Sequence, residues 1–120
     1  MRSEIRSIIS PDVADLTNYY PEDPEDFSLL VQLSIGPGGM LGEETFSIEV
    51  TTPLSLLRQQ ASNYPRVLRH ILLVRHWDHK TVIELLQKVF GNVPGADWTE
   101  IAHKLSRFGM WEFEDYKSPH

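Results

Sequence analysis

The sequence contains no cysteine. That one absence excludes a disulfide scaffold, a zinc–thiolate site, an iron–sulfur cluster and a thiol nucleophile, and it fits a reducing compartment. Long apolar runs are also missing. None approaches the roughly 18 residues that a membrane span needs. The opening MRSEIRSIISPDVADL places a glutamate and several polar residues where a signal peptide needs an unbroken apolar stretch. The expectation is a cytoplasmic protein with no membrane partner. Repeats and low-complexity tracts are lacking too.

Positive charge is scarce: 11 lysines and arginines face 17 aspartates and glutamates, for a net of −6. Residues 1–60 carry ten acids and three bases, whereas residues 61–120 carry seven acids and eight bases. The negative field therefore belongs to the first half. Phosphate backbones favour basic surfaces, so nucleic acid is not an expected partner, and a basic protein is. The plainer alternative is that the charge only keeps the chain soluble. At 120 residues, 41% hydrophobic, the chain suits one soluble domain that buries roughly two-thirds of its unfolded surface.

The hydrophobic pattern predicts the elements. Ser3–Ile9, with Ile5, Ile8 and Ile9, reads as a strand ended by Ser10-Pro11, and Asp12–Asn18 as one helical turn. Tyr19–Asp26 holds two prolines and reads as a loop. Phe27–Ile35 alternates cleanly, and Thr45–Thr51 repeats the alternation with Phe46, Ile48 and Val50 inward. Gly36–Gly42 makes them a hairpin, with a tip long enough to be mobile. Thr52-Pro53 opens a helix whose inner face is expected to be Leu54, Leu57, Ala61 and Tyr64. Ile71–Val74 is a strand by preference over a helix. His79–Phe90 is a helix closed by Gly91. Asp97–Phe108 is a second, capped by Asp97 with Glu100 three residues on, and burying Trp98, Ile101, Ala102, Leu105 and Phe108. The aromatic–acidic tail Met110–Tyr116 is a short edge strand or an extended segment. The fold class is α+β: an antiparallel sheet of about four strands with helices packed on one face.

Few residues point to bond-making chemistry. His76, Asp78 and His79 form the one compact set of metal-ligand types, and they support an alternative reading as a small metal-dependent enzyme. Their i, i+3 histidine spacing does not aim both rings one way, and Asp78 is a natural N-cap. No Gly-x-Ser-x-Gly positions a nucleophile, and Gly36-Pro37-Gly38-Gly39 lacks the Lys-Ser/Thr of a phosphate loop. Glu43-Glu44 is a carboxylate pair, but adjacent strand residues point to opposite faces. Arg66, Arg69 and Arg75 lie close in sequence without the interleaved aromatics of a nucleic-acid platform. No catalysis and no cofactor are expected.

Binding is left. Tyr19, Tyr20, Glu22, Asp23, Glu25 and Asp26 set two tyrosines beside four acids on a proline-stiffened loop. Tyrosine is rich in contact energy, carboxylates steer and pair with cations, and prolines lower the entropy lost on docking. The hairpin tip with Met40, Glu43 and Glu44 is the second candidate surface. The alternatives are a solvated loop whose tyrosines cover the core edge, or a generic adaptor domain.

Four stretches resemble the bacterial immunity protein 8 family, the partners of polymorphic toxins. They are Tyr19-Tyr20-Pro21-Glu22-Asp23-Pro24-Glu25, the strand Glu44–Val50 followed by Thr52-Pro53, Asp97-Trp98-Thr99-Glu100-Ile101, and Trp111-Glu112-Phe113-Glu114-Asp115-Tyr116. They occur in the right order across nearly the whole chain. The resemblance implies a small cytoplasmic protein, not an enzyme, that binds one cognate toxin domain and blocks it. Toxin domains of this kind are often nucleases, whose grip on phosphate makes them basic. The partner expected is thus a basic toxin domain, bound by a monomer or weak homodimer. Trp98, Trp111 and Phe113 are assigned to the fold rather than to the partner.

Overall fold

The computed structural model describes residues 1–60, 65 and 67–113. Ala61, Tyr64, Arg66, Glu114, Asp115 and Tyr116, all invoked above, lie outside the described residues. The elements follow as β1 (Ser3–Ile9), a 3-10 turn (Leu16–Asn18), β2 (Ser28–Pro37), β3 (Glu44–Thr51), α1 (Pro53–Gln60), β4 (Ile71–Leu73), α2 (His79–Phe90), α3 (Trp98–Leu105) and β5 (Met110–Trp111). The α+β class is as expected, with five strands rather than four. Strands β1, β2 and β3 form an antiparallel meander. The outer edge of β3 is shared: β5 pairs antiparallel at Phe46 and Ser47, and β4 pairs parallel at Glu49–Thr51.

The β2–β3 register sets the core. Leu29 lies opposite Val50, Val31 opposite Ile48, and Leu33 opposite Phe46. All six are buried. Each such apolar cross-strand pair contributes about 0.2–1 kcal/mol relative to a pair of alanines. The same face receives Val82, Leu86 and Phe90 from α2 and Ile101, Ala102 and Leu105 from α3. The opposite face, with Leu30, Gln32, Ser34, Ser47 and Glu49, is open or half-open. Near the hairpin, Gly36 allows the two strands their approach, because a β-carbon there would stand 2.0 Å from the Gly42 carbonyl oxygen.

Strand β1 is not a regular alternation, and a bulge explains it. Ile5 pairs with Ile35 and Ile8 with Leu33, so between these pairs two residues of β1, Arg6 and Ser7, oppose one of β2, Ser34. The extra residue switches the phase and turns both isoleucines toward the core. It also re-aims Arg6, whose Nη2 donates to the carbonyls of Pro37 (2.9 Å) and Met40 (2.7 Å). The hairpin tip, expected to be mobile, is held by these bonds.

Two expected faces are corrected. Leu54 and Leu57 of α1 are 43% and 57% exposed, and Ser55 is the inward residue. Thr52 caps the helix through its Oγ1, which accepts from the Ser55 N–H at 3.3 Å, and the Thr51 hydroxyl donates to the Phe27 carbonyl. These bonds set the direction in which the chain leaves β3. Leu54 and Leu57 share one helix face, but the caps turn that face outward. Phe108 is half exposed rather than in the α3 face. The helix ends at Leu105, whose carbonyl accepts from the N–H groups of both Phe108 and Gly109. That tighter turn carries Phe108 out of helical phase and against the edge of Phe90. Gly91 ends α2 as expected, but with φ −89. The left-handed residue is its neighbour Asn92, at φ 60.

Ser3 locks β1 to the end of α2. Its buried hydroxyl donates to the Phe90 carbonyl (2.7 Å) and accepts from the Val93 N–H (2.8 Å). Replacing it with alanine strands two backbone groups. Ser3→Ala is expected to lower the unfolding free energy by about 2 kcal/mol. In urea melts this is a lower midpoint with an unchanged slope.

Candidate functional site

The loop between the 3-10 turn and β2 is built around Trp77, in the bend between β4 and α2. The Trp77 indole N–H donates to the Tyr19 carbonyl (3.1 Å), and its backbone N–H to the Pro24 carbonyl (3.0 Å). Its ring meets Tyr19 at 5.1 Å and Phe27 at 5.7 Å between centroids, both edge-to-face. Trp77 is buried, as is Pro21. Inside the loop, an Asp23 carboxylate oxygen accepts from the Glu25 N–H, and the Asp23 carbonyl from the Asp26 N–H. Such side-chain-to-backbone turns are what aspartate supplies most readily.

The candidate residues therefore take different roles. Tyr19 is half-buried and supports the loop from inside. Tyr20 is 73% exposed. Glu22, Asp23 and Glu25 are exposed, whereas Asp26 is half-buried and ion-paired with Arg58 of α1. Tyr20, Glu22, Asp23 and Asp26 line an open cleft of about 750 Å³. Among the described residues, glutamates 4, 84 and 100 and Asp26 have a cation within ion-pair distance. Glu22, Asp23 and Glu25 have none.

The hairpin-tip candidates are not brought to this site. Met40 and Glu43 are exposed, but they sit at the far end of β2, about 30 Å away at ~3.3 Å per residue over its ten residues. Glu44 is half-buried and takes the Trp111 indole N–H. Trp98 and Trp111 pack against the core as assigned, while Phe113 meets Trp111 edge-on and is 45% exposed.

The metal-enzyme alternative finds no geometry. His76 and Asp78 are exposed, Asp78 accepts from the Thr81 hydroxyl, and His79 leans toward Trp77. Among the described residues no group of three or more His, Asp or Glu is placed to hold a metal ion. A cleft of about 300 Å³ beneath β4 is lined largely by aliphatic and aromatic groups, Ile48, Leu86, Val89, Phe90 and Phe108 among them, and brings no acid–base pair together. Sequence reasoning passed over Trp77, which stood inside the metal candidate. The exposed Leu54–Leu57 pair was also missed, since its spacing reads equally as an inner face. No helix among the described residues is long and apolar enough to cross a membrane.

Burial, helped by the nearby Asp12 carboxylate, raises the Tyr19 phenol above its ordinary 10.0. The folded value thus exceeds the unfolded one. The contribution to stability is complete below about pH 10 and is lost as pH rises through the raised value. Alkaline titration of tyrosinate absorbance is expected to show a late component that Tyr19→Phe removes.

No match is found among curated proteins or among solved structures. The family model described as Immunity protein 8 matches residues 3–116. With nearly the whole length matched, and the loop, hairpin and C-terminal segments that carry the resemblance all inside it, the chain belongs to the Immunity protein 8 family.

Proposed function

We propose that this chain neutralises a cognate toxin domain in the cytoplasm by binding it one to one through the Tyr19–Asp26 loop, making and breaking no covalent bond. The observation that carries the reading is electrostatic. Glu22, Asp23 and Glu25 stand exposed, with no cation near them among the described residues, beside an exposed Tyr20 on a loop fixed from below by Trp77. Solvated carboxylates add little to folding and are free to act outward. The partner that fits is a basic domain, and a nuclease is the toxin class whose phosphate-binding surface supplies that charge. The acidic loop then covers or fills the groove that would hold phosphate.

The interface is of ordinary size, roughly 1,200–2,000 Å² in total. A patch of half that area is about 30 Å across, so the loop and the hairpin tip cannot both lie at its centre, where the binding energy concentrates. Met40, Glu43 and Glu44 are the second choice.

Co-expression with the C-terminal domain of the protein encoded by the adjacent gene is expected to restore growth that this domain alone arrests, and to yield a co-purifying complex. The triple variant Glu22→Lys/Asp23→Lys/Glu25→Lys is expected to slow association by roughly 10- to 100-fold at low salt and to flatten its salt dependence. An unchanged rate and salt slope would move the contact off this loop.

A further inference from the structure

We infer that the outer face of α1, Leu54 and Leu57, is the apolar anchor of the toxin contact, continuous with the acidic loop, and takes an apolar side chain flanked by lysine or arginine on the partner. The inference rests on the functional reading above and extends it to a helix that reading does not use.

Three observations place the two surfaces together. Leu54, Leu57 and Arg58 follow i, i+3, i+4 spacing, which puts them on one helix face. Arg58 reaches across to Asp26, which lines the loop's cleft. The Thr52 N–H donates to the Phe27 carbonyl (3.3 Å) and so fixes the start of α1 beside the end of the loop. The outcome is a leucine pair, 43% and 57% exposed, on the helix whose Arg58 bonds Asp26 of the loop.

Charge selects the occupant. Arg58 is engaged by Asp26, so it offers the partner little net positive charge. Among the described residues, Glu22, Asp23 and Glu25 then set the sign of the loop side of this face. A second copy of this chain would bring its own acids against them, and like charges facing each other cost binding. A basic partner gains on both counts: its cations meet the rim, and its apolar side chain meets the leucines. The two parts act on different rates. Rim charge governs encounter, and desolvated apolar contact governs escape.

The experiment uses the full chain and the toxin domain whose arrest of growth it relieves in that co-expression. Leu54→Gln/Leu57→Gln keeps good helix formers and removes the apolar face. It is expected to leave the thermal melt in place, to leave the association rate and its salt slope unchanged, and to speed dissociation by roughly 10- to 100-fold. Leu54→Met/Leu57→Met should restore slow dissociation. Unchanged dissociation with Gln, alongside the association defect of the triple lysine variant, overturns the α1 anchor and leaves the loop reading standing. Faster dissociation with Gln and no effect of the lysine triple keeps α1 and removes the loop. No binding by the unaltered chain removes both. Should the Gln variant fail to fold, a benzophenone amino acid in place of Leu57 gives the answer independently. It should crosslink to the toxin domain, while the same group in place of the exposed Ile9 should not. Crosslinking to a second copy of the chain, or no crosslink at all, overturns the inference.

Discussion

Trp77 joins the sheet end to the loop by four means at once: an indole N–H on the Tyr19 carbonyl, a backbone N–H on the Pro24 carbonyl, and edge-to-face contacts with Tyr19 and Phe27. A loop of two prolines and four acids has no core of its own to hold it. Its carboxylates repel one another, and its exposed side chains contribute little burial. The buried indole supplies what the loop lacks: aromatic contacts worth about 0.5–1.5 kcal/mol each beyond area, and bonds for carbonyls that would otherwise need water. Trp77 fixes both ends of the acidic segment, so the charged middle is displayed in a limited set of shapes. Preorganisation of this kind lowers the ordering cost on binding.

The remaining acids show why that middle is distinctive. Asp12 accepts from the Leu30 N–H where β1 has ended, and Asp15 and Asp97 cap helical turns. Glu49 bonds the Ser28 hydroxyl, and Glu112 takes the Thr45 N–H. Each of these is spent on the fold. A net charge of −6 is therefore a poor guide to where a partner sees negative potential. What counts is the subset with no cation beside it among the described residues, and three such exposed acids, Glu22, Asp23 and Glu25, gather between Tyr20 and Asp26.

The legible parts of the fold were those set by short-range period and caps. The β2–β3 alternation, the Thr52 and Asp97 caps and the Gly91 stop all appear in the structure at the residues that signalled them. The illegible parts came from tertiary hydrogen bonds that change a phase. A bulge at Arg6 reverses the inside and outside of β1, and no local pattern announces it. The α1 leucines have the right spacing for burial, but the cap bonds decide which way that spacing points. Strand β4 is three residues long and pairs parallel, a geometry only the α1 crossover can create. For the site, the acid–tyrosine composition was readable. The ion pair that removes Asp26 from the free set, the burial of Tyr19 and the part played by Trp77 were not, because each depends on residues more than 30 positions away.

Under the proposed reading, holding a toxin domain sets two separate demands, speed and persistence, and the two proposed surfaces place them on adjacent elements. Exposed charge raises the encounter rate but is screened within about 8 Å at physiological salt, so it adds little to residence time. Apolar contact does the reverse. Putting both on one side chain fails, because a buried unpaired carboxylate costs more than it returns. Here the carboxylates sit on a loop and the leucines on a helix, and Arg58 of α1 pairs with the loop's Asp26 where the two elements meet. That arrangement lets the rim stay wet while the leucines desolvate, which is the condition under which both kinds of contact reach full strength.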